Sequence, residues 1–269
     1  VEGDATEYIQ SAIDEVSLRT ADKDGFRGAV QLAKGTYELT GRLNIHESGV
    51  VLRGAGSGKD GSVLVAKGES RRPLISVGRH VQFPKPAFSV KIVDKQVPAG
   101  AAQFSVKDAS LFKTGDRIWI ERPTTLAWVQ AIGMDPEGFD RIAHRFWAND
   151  SMDAGSMWWD REIVSIVGNT ITIDAPITTA IEAAYGGGKV YPLEAPNRLR
   201  QIGIENLCLI SEYDSENPKD ENHAWNAVQF RNTEDAWVRK ISASHFAGSA
   251  VALLHGTKRI SVQYCASYS

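Results

Sequence analysis

The chain has 269 residues, of which 42% are hydrophobic and 23% charged, enough apolar content for one large all-β domain or for two domains. Its 30 Lys and Arg residues nearly balance 33 Asp and Glu residues, leaving a formal net charge of −3. This balance gives no reason to expect a nucleic-acid partner, which is usually matched by a basic patch or a high pI. No apolar run approaches the length of a membrane span, so we also expect no membrane partner.

The first predicted element is a helix over residues 4–16, in which apolar side chains recur on one face. That face consists of Tyr8, Ile9, Ala12, Ile13 and Val16. Asp4 and Glu7 have the spacing of a capping box, although Asp replaces the usual Ser or Thr. We expect the helix to close one end of a stack of strands, because the first strands of such a stack would otherwise expose their edge.

Short strands are predicted next, separated by glycines of the kind that tight corners require. They cover residues 29–32, 36–39, 43–45, 50–52, 63–65 and 74–77. The glycine-rich segment 54–59 does not have the pattern of a phosphate-binding loop, because Asp60 replaces the required Ser or Thr and no helix follows. We interpret it as a turn.

Longer alternating strands begin near residue 84. They cover residues 88–93, 104–106, 117–121, 162–167 and 170–173, and Gly168 and Asn169 form a good turn between the last two. We therefore predict three regions. An N-terminal cap with the first coils of strands covers residues 1–83, an inserted β-domain covers 84–191, and later coils cover 192–269.

Residues 122–161 of the insertion show no clear strand pattern and are rich in aromatic and basic side chains. A long irregular segment with so many aromatic rings is functional or folded rather than disordered. Two interpretations stay open: the rings line a groove in which they stack on sugar rings, or they fold the segment into its own small core. The first interpretation gives four candidate substrate-binding residues, Arg145, Trp147, Trp158 and Trp159.

The C-terminal region contains a sequence repeat. The triplet Ala236, Val238 and Ile241 recurs 24 residues later as Ile260, Val262 and Cys265, and 34 residues earlier as Ile202, Ile204 and Leu207. A second track, Val228 and Phe230, recurs 23 residues later as Val251 and Leu253. Short runs with a period of two that recur at this spacing predict stacked coils of strands.

Three segments resemble the opening of a known superfamily. They are Gly3-Asp4-Ala-Thr6-x-x-Ile9-Gln10-x-Ala12-Ile13, Gly28-Ala-Val-x-Leu32-x-x-Gly35-Thr36-Tyr37 and Val50-Val-Leu-x-Gly54-x-Gly56. They are similar to the pectate-lyase-like superfamily of right-handed parallel β-helix proteins, which includes polysaccharide lyases, polygalacturonase-type hydrolases and phage tailspikes. The resemblance covers residues 3–77 and 196–269. It implies an all-β fold, a right-handed parallel β-helix (solenoid) with an N-terminal helical cap and an inserted small β-domain.

The catalytic motifs of the superfamily do not carry over. Polygalacturonase-type hydrolases would show an Asn-Thr-Asp strand, an Asp-Asp pair, a His-Gly and an Arg-x-Lys, whereas this chain has only Asn232-Thr-Glu-Asp235 and His255-Gly256. The calcium-binding aspartates of classical pectate lyases are missing, so we assign no metal ligand, although calcium stays a possible cofactor. The resemblance implies a polysaccharide partner and a secreted or periplasmic protein. The repeat runs to Ser269 without a cap, so we expect further residues to complete the β-helix and part of its site.

Alternation along the coils places basic and imidazole side chains on outward faces and corners, a surface that suits an acidic polysaccharide. The candidates are Arg231, Arg239, Lys240, His223 and His245. A lyase acting on a uronic acid needs a cation to neutralise the carboxylate and a base to remove the adjacent proton. Any of the three cations can neutralise the carboxylate, with Arg231 counted chiefly as a substrate-binding residue. Either histidine can be the base, since imidazole titrates near working pH.

Two other functions stay open. A hydrolase needs two carboxylates about 5 to 10 Å apart, and four are available in predicted turns, where acidic residues are common anyway. They are Asp220, Glu221, Glu234 and Asp235. A non-catalytic glycan-binding or tailspike-like module would need only the aromatic segment. We favour β-elimination of an acidic polysaccharide, then hydrolysis, then binding alone.

Overall fold

The computed structural model describes residues 3–84, 86–133, 156–194, 197–217 and 219–268. Its elements are mostly strands, which confirms the prediction of an all-β chain. The helices are α1 (Thr6–Ser17), α2 (Leu126–Ala131) and a short 3-10 helix at Ala183–Tyr185. The strands are β1 (Gly28–Gln31), β2 (Gly35–Leu39), β3 (Leu43–Ile45), β4 (Val50–Arg53), β5 (Ser62–Ala66), β6 (Ile75–Val77), β7 (Val90–Lys91), β8 (Gln96–Val97), β9 (Gln103–Ser105), β10 (Arg117–Arg122), β11 (Met157–Val167), β12 (Thr170–Ile173), β13 (Ile181–Glu182), β14 (Lys189–Pro192), β15 (Gly203–Ser211), β16 (Asn226–Phe230), β17 (Glu234–Ser244), β18 (Ser249–Leu253), β19 (Lys258–Gln263) and β20 (Ala266–Tyr268).

The chain divides into two compact units. The first unit joins Val1–Gln82 to Pro196–Ser269, and the second unit is Phe83–Ala195. The first unit contains α1, β1 to β6 and β15 to β20, and the second contains β7 to β14 and α2. Each unit has its own apolar core.

In the first unit, the strand pairs are parallel, and each joins two strands that lie apart in the sequence. The strands β1, β2 and β3 pair with β4, β5 and β6. The strand β15 pairs with both β4 and β5, and β16 pairs with β6, so pairing continues from one side of the second unit's sequence to the other. Further along, β17 and β18 pair with β15 and β16, and β19 and β20 pair with β17.

We call these sets of strands layers 1 to 5: β1–β3, β4–β6, β15–β16, β17–β18 and β19–β20. They contribute to an eight-stranded sheet, the larger sheet, and to a four-stranded sheet in the order β18-β16-β6-β3, the smaller sheet. Successive segments of the chain thus alternate between the two sheets, with a corner at each change of sheet.

The two sequence repeats set the register between layers. Val238 pairs with Ile204 in the preceding layer and with Val262 in the next. Val228 pairs with Val251 in the smaller sheet. The residues that recur in the two sequence repeats are therefore paired with each other in adjacent layers.

The helix α1 covers part of this core, although its start differs from the prediction. Ile9 and Ile13 are completely buried in the core, whereas Tyr8 is 66% exposed, so its place on the predicted apolar face is wrong. The helix begins at Thr6 and has no side-chain cap. The Asp4 carboxylate instead accepts hydrogen bonds from Thr6 and from the hydroxyl of Thr40. The bonds from Thr40 and Thr6 hold the pKa of Asp4 well below its usual value.

A column of left-handed residues bends the long strands of the larger sheet. Asn206, Lys240 and Tyr264 have φ values of 56°, 52° and 55°, and they follow Glu205, Arg239 and Gln263, which lie in register. The bend divides β15 into a part that pairs with β4 and a part that pairs with β5. Non-glycine residues in this conformation are uncommon, and here the neighbouring layers hold it in place.

The second unit contains a six-stranded antiparallel sheet in the order β7-β14-β10-β11-β12-β9 and a two-stranded sheet of β8 and β13. Within residues 122–161 the structure has α2 and the start of β11 at Met157, so the expectation of no strand there is wrong at its C-terminal end. Trp158 and Trp159 continue the alternation of β11, with the second ring inside the core. Residues 134–155 lie outside the described residues.

The completely buried Phe230 provides a test of the stacking. It pairs with Val77 and Leu253 in the smaller sheet. Phe230→Ala should lower the free energy of unfolding by about 3–5 kcal/mol, because it removes a large core side chain and leaves a cavity. Denaturant unfolding followed by circular dichroism measures the change. Leu18→Ala, at an 88% exposed position, should change it by less than about 0.5 kcal/mol. Equal effects would contradict the packing.

Candidate functional site

Three stacked corners of the first unit bring aromatic, imidazole and arginine side chains together. They join the larger to the smaller sheet at residues 67–74, 212–225 and 245–248. The Trp225 N–H donates to the Arg72 carbonyl at 2.9 Å, and the Gly248 N–H donates to the Trp225 carbonyl at 2.7 Å. We call five side chains at these corners the corner cluster: Arg71, Tyr213, His223, Trp225 and His245.

Tyr213 and His245 form a stacked pair between layers 3 and 4. Their ring centroids lie 4.7 Å apart with an interplanar angle of 25°. Tyr213 is 41% exposed, and His245 is half-buried with a left-handed φ of 62°. The pair therefore presents a phenol and an imidazole side by side, partly open to solvent.

His223 lies deeper in the same cluster. Its side chain is buried, with Nδ1 at 2.9 Å from the Ser211 hydroxyl and Nε2 at 3.2 Å from the Asp220 carbonyl oxygen. A carbonyl oxygen only accepts, so Nε2 carries a hydrogen and the ring holds the corner in shape. Of the two histidines proposed from the sequence as the base, His245 is the more accessible in this geometry.

Arg71 and Trp225 form the other side of the cluster. The Arg71 guanidinium lies 5.3 Å from the centroid of the Trp225 ring and 3.3 Å from the Glu221 carboxylate. The indole lies against Gly248, where an added Cβ would meet Trp225 Nε1 at 2.5 Å. The glycine is therefore required for the ring to reach this position.

Arg239 is engaged elsewhere. Its Nε donates to Glu205 at 2.5 Å, and the same carboxylate accepts hydrogen bonds from Arg53 Nε at 2.5 Å and from Trp237 Nε1 at 2.9 Å. The Glu205 side chain is only 1% exposed. Burial alone would raise the pKa of Glu205, but the bonds from Arg239, Trp237 and Arg53 outweigh burial and hold it below its ordinary value.

The other cations proposed from the sequence also lie apart from the corner cluster. Arg239 is in the half of β17 that pairs with β19, and Lys240 is at the bend. His245 follows the other half, which pairs with β20. Arg231 follows β16, whereas Trp225 precedes it. The cation that the fold does bring to the cluster is Arg71, which sequence reasoning missed because it comes from layer 2.

Of the four aromatic and basic candidates of the second unit, the structure describes two, Trp158 and Trp159. Trp159 is 6% exposed and donates its Nε1–H to Thr178 Oγ1 at 2.9 Å, so its ring belongs to the core. Trp158 is half-buried, with its ring 5.6 Å from Trp119 and 5.5 Å from Tyr191. Arg145 and Trp147 lie outside the described residues.

Each carboxylate considered for a hydrolase has a partner within the chain. Glu234 lies 3.3 Å from Arg198 and accepts a bond from Arg200 Nε at 2.6 Å, and Asp235 forms a two-pronged pair with Arg259 at 2.5 and 2.7 Å. Glu221 pairs with Arg71. The fourth carboxylate, that of Asp220, accepts hydrogen bonds from the backbone N–H groups of Asp214 and Asn222 in its own loop.

Where the structure is described, no three histidine, cysteine or carboxylate side chains are arranged to hold a metal ion. The helices described in the two units are too short or too polar to cross a lipid bilayer.

No protein-family model matches the chain, and no curated protein matches it. Solved structures of three phage tailspikes align with 97% of it. Tailspike protein gp49 from Pseudomonas phage LKA1 has 12% identity and a TM-score of 0.37, and Pseudomonas phage phi297 tailspike gp61 has 13% and 0.40. The Gp54 tailspike of Acinetobacter baumannii bacteriophage AP22, in complex with A. baumannii capsular saccharide, has 10% and 0.35. The chain spans 39%, 44% and 48% of their lengths, respectively.

The buried Glu205 predicts how stability depends on pH. Because its folded-state pKa is below the ordinary value, the carboxylate stabilises the fold above its unfolded-state pKa of about 4.3. This contribution is lost as the pH falls through the folded-state pKa. Glu205→Gln should therefore reduce the loss of unfolding free energy that occurs as the pH falls below the unfolded-state pKa. At neutral pH it should cost about 1–3 kcal/mol, a value limited by the half-exposed arginines.

Unfolding curves recorded from neutral to acid pH measure this effect. Glu15→Gln is the control, because the Glu15 side chain is 73% exposed in its pair with Arg19 and contributes little. Matching acid profiles for Glu205→Gln and the wild type would show that the carboxylate is not held in this way.

Proposed function

We propose that the first unit is a right-handed parallel β-helix and that layers 1 to 5 are its coils. Parallel pairing throughout both sheets supports this proposal, as does the direct pairing of β15 with β4 and β5. The second unit is then an insertion between the second and third coils. This arrangement agrees with the fold that the sequence resemblance implies.

We propose further that the protein acts on an acidic polysaccharide and that the corner cluster is the site of reaction. The observation that carries this proposal is the stacked, partly exposed Tyr213–His245 pair. Aromatic rings such as Trp225 suit the flat apolar faces of sugars, and the Arg71 guanidinium suits a uronate carboxylate. Arg71 and Glu221 are each more than half exposed, so their ion pair is weak enough for a substrate carboxylate to displace.

The favoured reaction is β-elimination. His245 takes the proton from the carbon beside the uronate carboxylate, while Arg71 neutralises the charge that develops on that carboxylate. The electron pair of the broken C–H bond forms a C=C bond, and the bond from the ring to the glycosidic oxygen breaks. The Tyr213 hydroxyl donates a proton to the departing oxygen. Hydrolysis is the weaker alternative, because Glu234 and Asp235 are held by arginines and Asp220 accepts backbone N–H bonds of its own loop.

Replacing the proposed base tests this assignment. His245→Ala should lower the rate of unsaturated product formation from polyuronates such as polygalacturonate and alginate by about 100-fold or more. Ultraviolet absorbance of the new double bond measures the rate. Added imidazole should restore part of it, because a small base can enter the space left by the ring. Full activity in His245→Ala would remove His245 as the base.

The other variants separate the remaining roles. Tyr213→Phe should also slow product formation, whereas Tyr8→Phe, at an exposed tyrosine of α1, should not. His223→Ala should lower the unfolding midpoint, since it removes the ring that holds the corner. New reducing ends without ultraviolet absorbance would instead indicate a hydrolase. Polysaccharide binding without either product would indicate a binding module.

A further inference from the structure

We propose a second anion-binding site at the opposite end of the smaller sheet, formed by His80, Arg231 and His255. It rests on the proposed function, because it holds an anionic substituent, a carboxylate or a sulfate, of the same polysaccharide whose reacting sugar lies at the corner cluster. We call these three residues the distal cluster.

Strand register brings the distal cluster together. Phe230 pairs with Val77 in layer 2 and with Leu253 in layer 4, so the three chains leave the smaller sheet side by side. The Arg231 N–H donates to the Val77 carbonyl at 2.9 Å, and the Asn232 N–H donates to the His255 carbonyl at 3.1 Å. The residues that follow the three strands therefore meet at one edge.

A glycine makes the close approach of layers 2 and 3 possible. Gly78 has a φ of 75°, and a Cβ at this position would lie 1.9 Å from the Arg231 carbonyl oxygen. Any other residue would push the two chains apart and carry His80 away from Arg231. Both the conformation and the space at Gly78 thus keep the distal cluster assembled.

Arg231 is the permanently charged member of the distal cluster. His80 and His255 are exposed and Arg231 is half-exposed. Partial desolvation of the imidazole lowers the pKa of His255 although the residue as a whole is exposed, and the charges of His80, Arg198 and Arg231 lower it further. Arg198 is compensated by Glu234, whereas the guanidinium of Arg231 has no ion pair with the residues that the structure describes. A bound anion would relieve this repulsion and favour the protonated imidazole.

The outward side chains of the smaller sheet connect the two clusters. Trp225 immediately precedes the five-residue strand β16 and Arg231 immediately follows it, so six residue steps separate them by about 20 Å at 3.3 Å per residue. Between them, Asn44, Gln229 and Ala252 are partly exposed, and the buried Ser76 lies in register between Asn44 and Gln229. The partly exposed amide groups of Asn44 and Gln229 suit sugar hydroxyls, so a chain of a few sugars can reach from one cluster to the other.

Binding measured without turnover tests the distal cluster. In a His245→Ala background, which leaves the polymer intact, Arg231→Gln should weaken binding of polygalacturonate about ten-fold or more, as expected for loss of a charged hydrogen bond. Arg231→Lys should recover part of the loss. Lys59→Ala removes one positive charge from an exposed turn and should bind as the background does. Unchanged binding by Arg231→Gln would overturn the proposal.

Probes of different chemistry define the ligand. Dextran sulfate carries sulfates and dextran is neutral. Loss of polygalacturonate binding alone would support a carboxylate site, and equal loss with dextran sulfate would support a general anion site. Dextran binding as tight as polygalacturonate binding would overturn the proposal. In NMR titrations, polygalacturonate should raise the pKa of His255, and an unchanged pKa would count against the site.

Kinetics on the otherwise unaltered protein separates the two proposals. Arg231→Gln should raise KM for long polyuronates and leave kcat unchanged, because the residue binds without touching the reacting sugar. If wild type forms no unsaturated product but Arg231→Gln still weakens binding, the reaction fails and the distal cluster stands. If His245→Ala loses activity while Arg231→Gln binds normally, the reaction stands and the distal cluster fails.

Discussion

The parallel pairing of successive layers is the constraint on which the rest of the first unit depends. Each strand must satisfy its backbone N–H and C=O groups with the strands before and after it, so a residue's neighbours above and below are fixed by register. Apolar residues then form inward columns, and polar residues form outward ones. The Arg53–Glu205–Arg239 column shows the consequence for charge, since a buried carboxylate lies between two cations in register.

Corners can vary in length more than strands, because they do not have to stay in register with the layers next to them. The corner of layer 3 covers residues 212–225, whereas that of layer 4 covers only 245–248. The longer corner supplies Tyr213, His223 and Trp225, and the shorter one supplies His245. The residues of the corner cluster thus lie where the fold tolerates differences in loop length, which is the usual place for binding residues on a rigid scaffold.

The sequence was sufficient for features that depend on periodicity and insufficient for those that depend on contact between layers. The period of two and the spacing of the repeats determined which residues pair, as Val238 with Val262 shows. Arg71 and Tyr213 were missed because only the stacking of corners far apart in sequence brings them to one place. The bend at Lys240 has no glycine to mark it. Alternation did not identify Trp158 and Trp159 as part of a strand. Two adjacent aromatic residues break the alternation of apolar and polar side chains by which a strand is recognised.

The position of the second unit has a consequence for the order of folding. The pair Val51 and Gly203 joins layers 2 and 3 across the entire second unit, whereas layers 3, 4 and 5 make contacts between residues much closer in sequence. Closing a long disordered loop costs conformational entropy before any pairing offsets it. A second unit that folds first, on its own core, replaces that loop with a compact body. The two halves of the first unit can then pair late in folding, without the entropic cost of closing a long disordered loop.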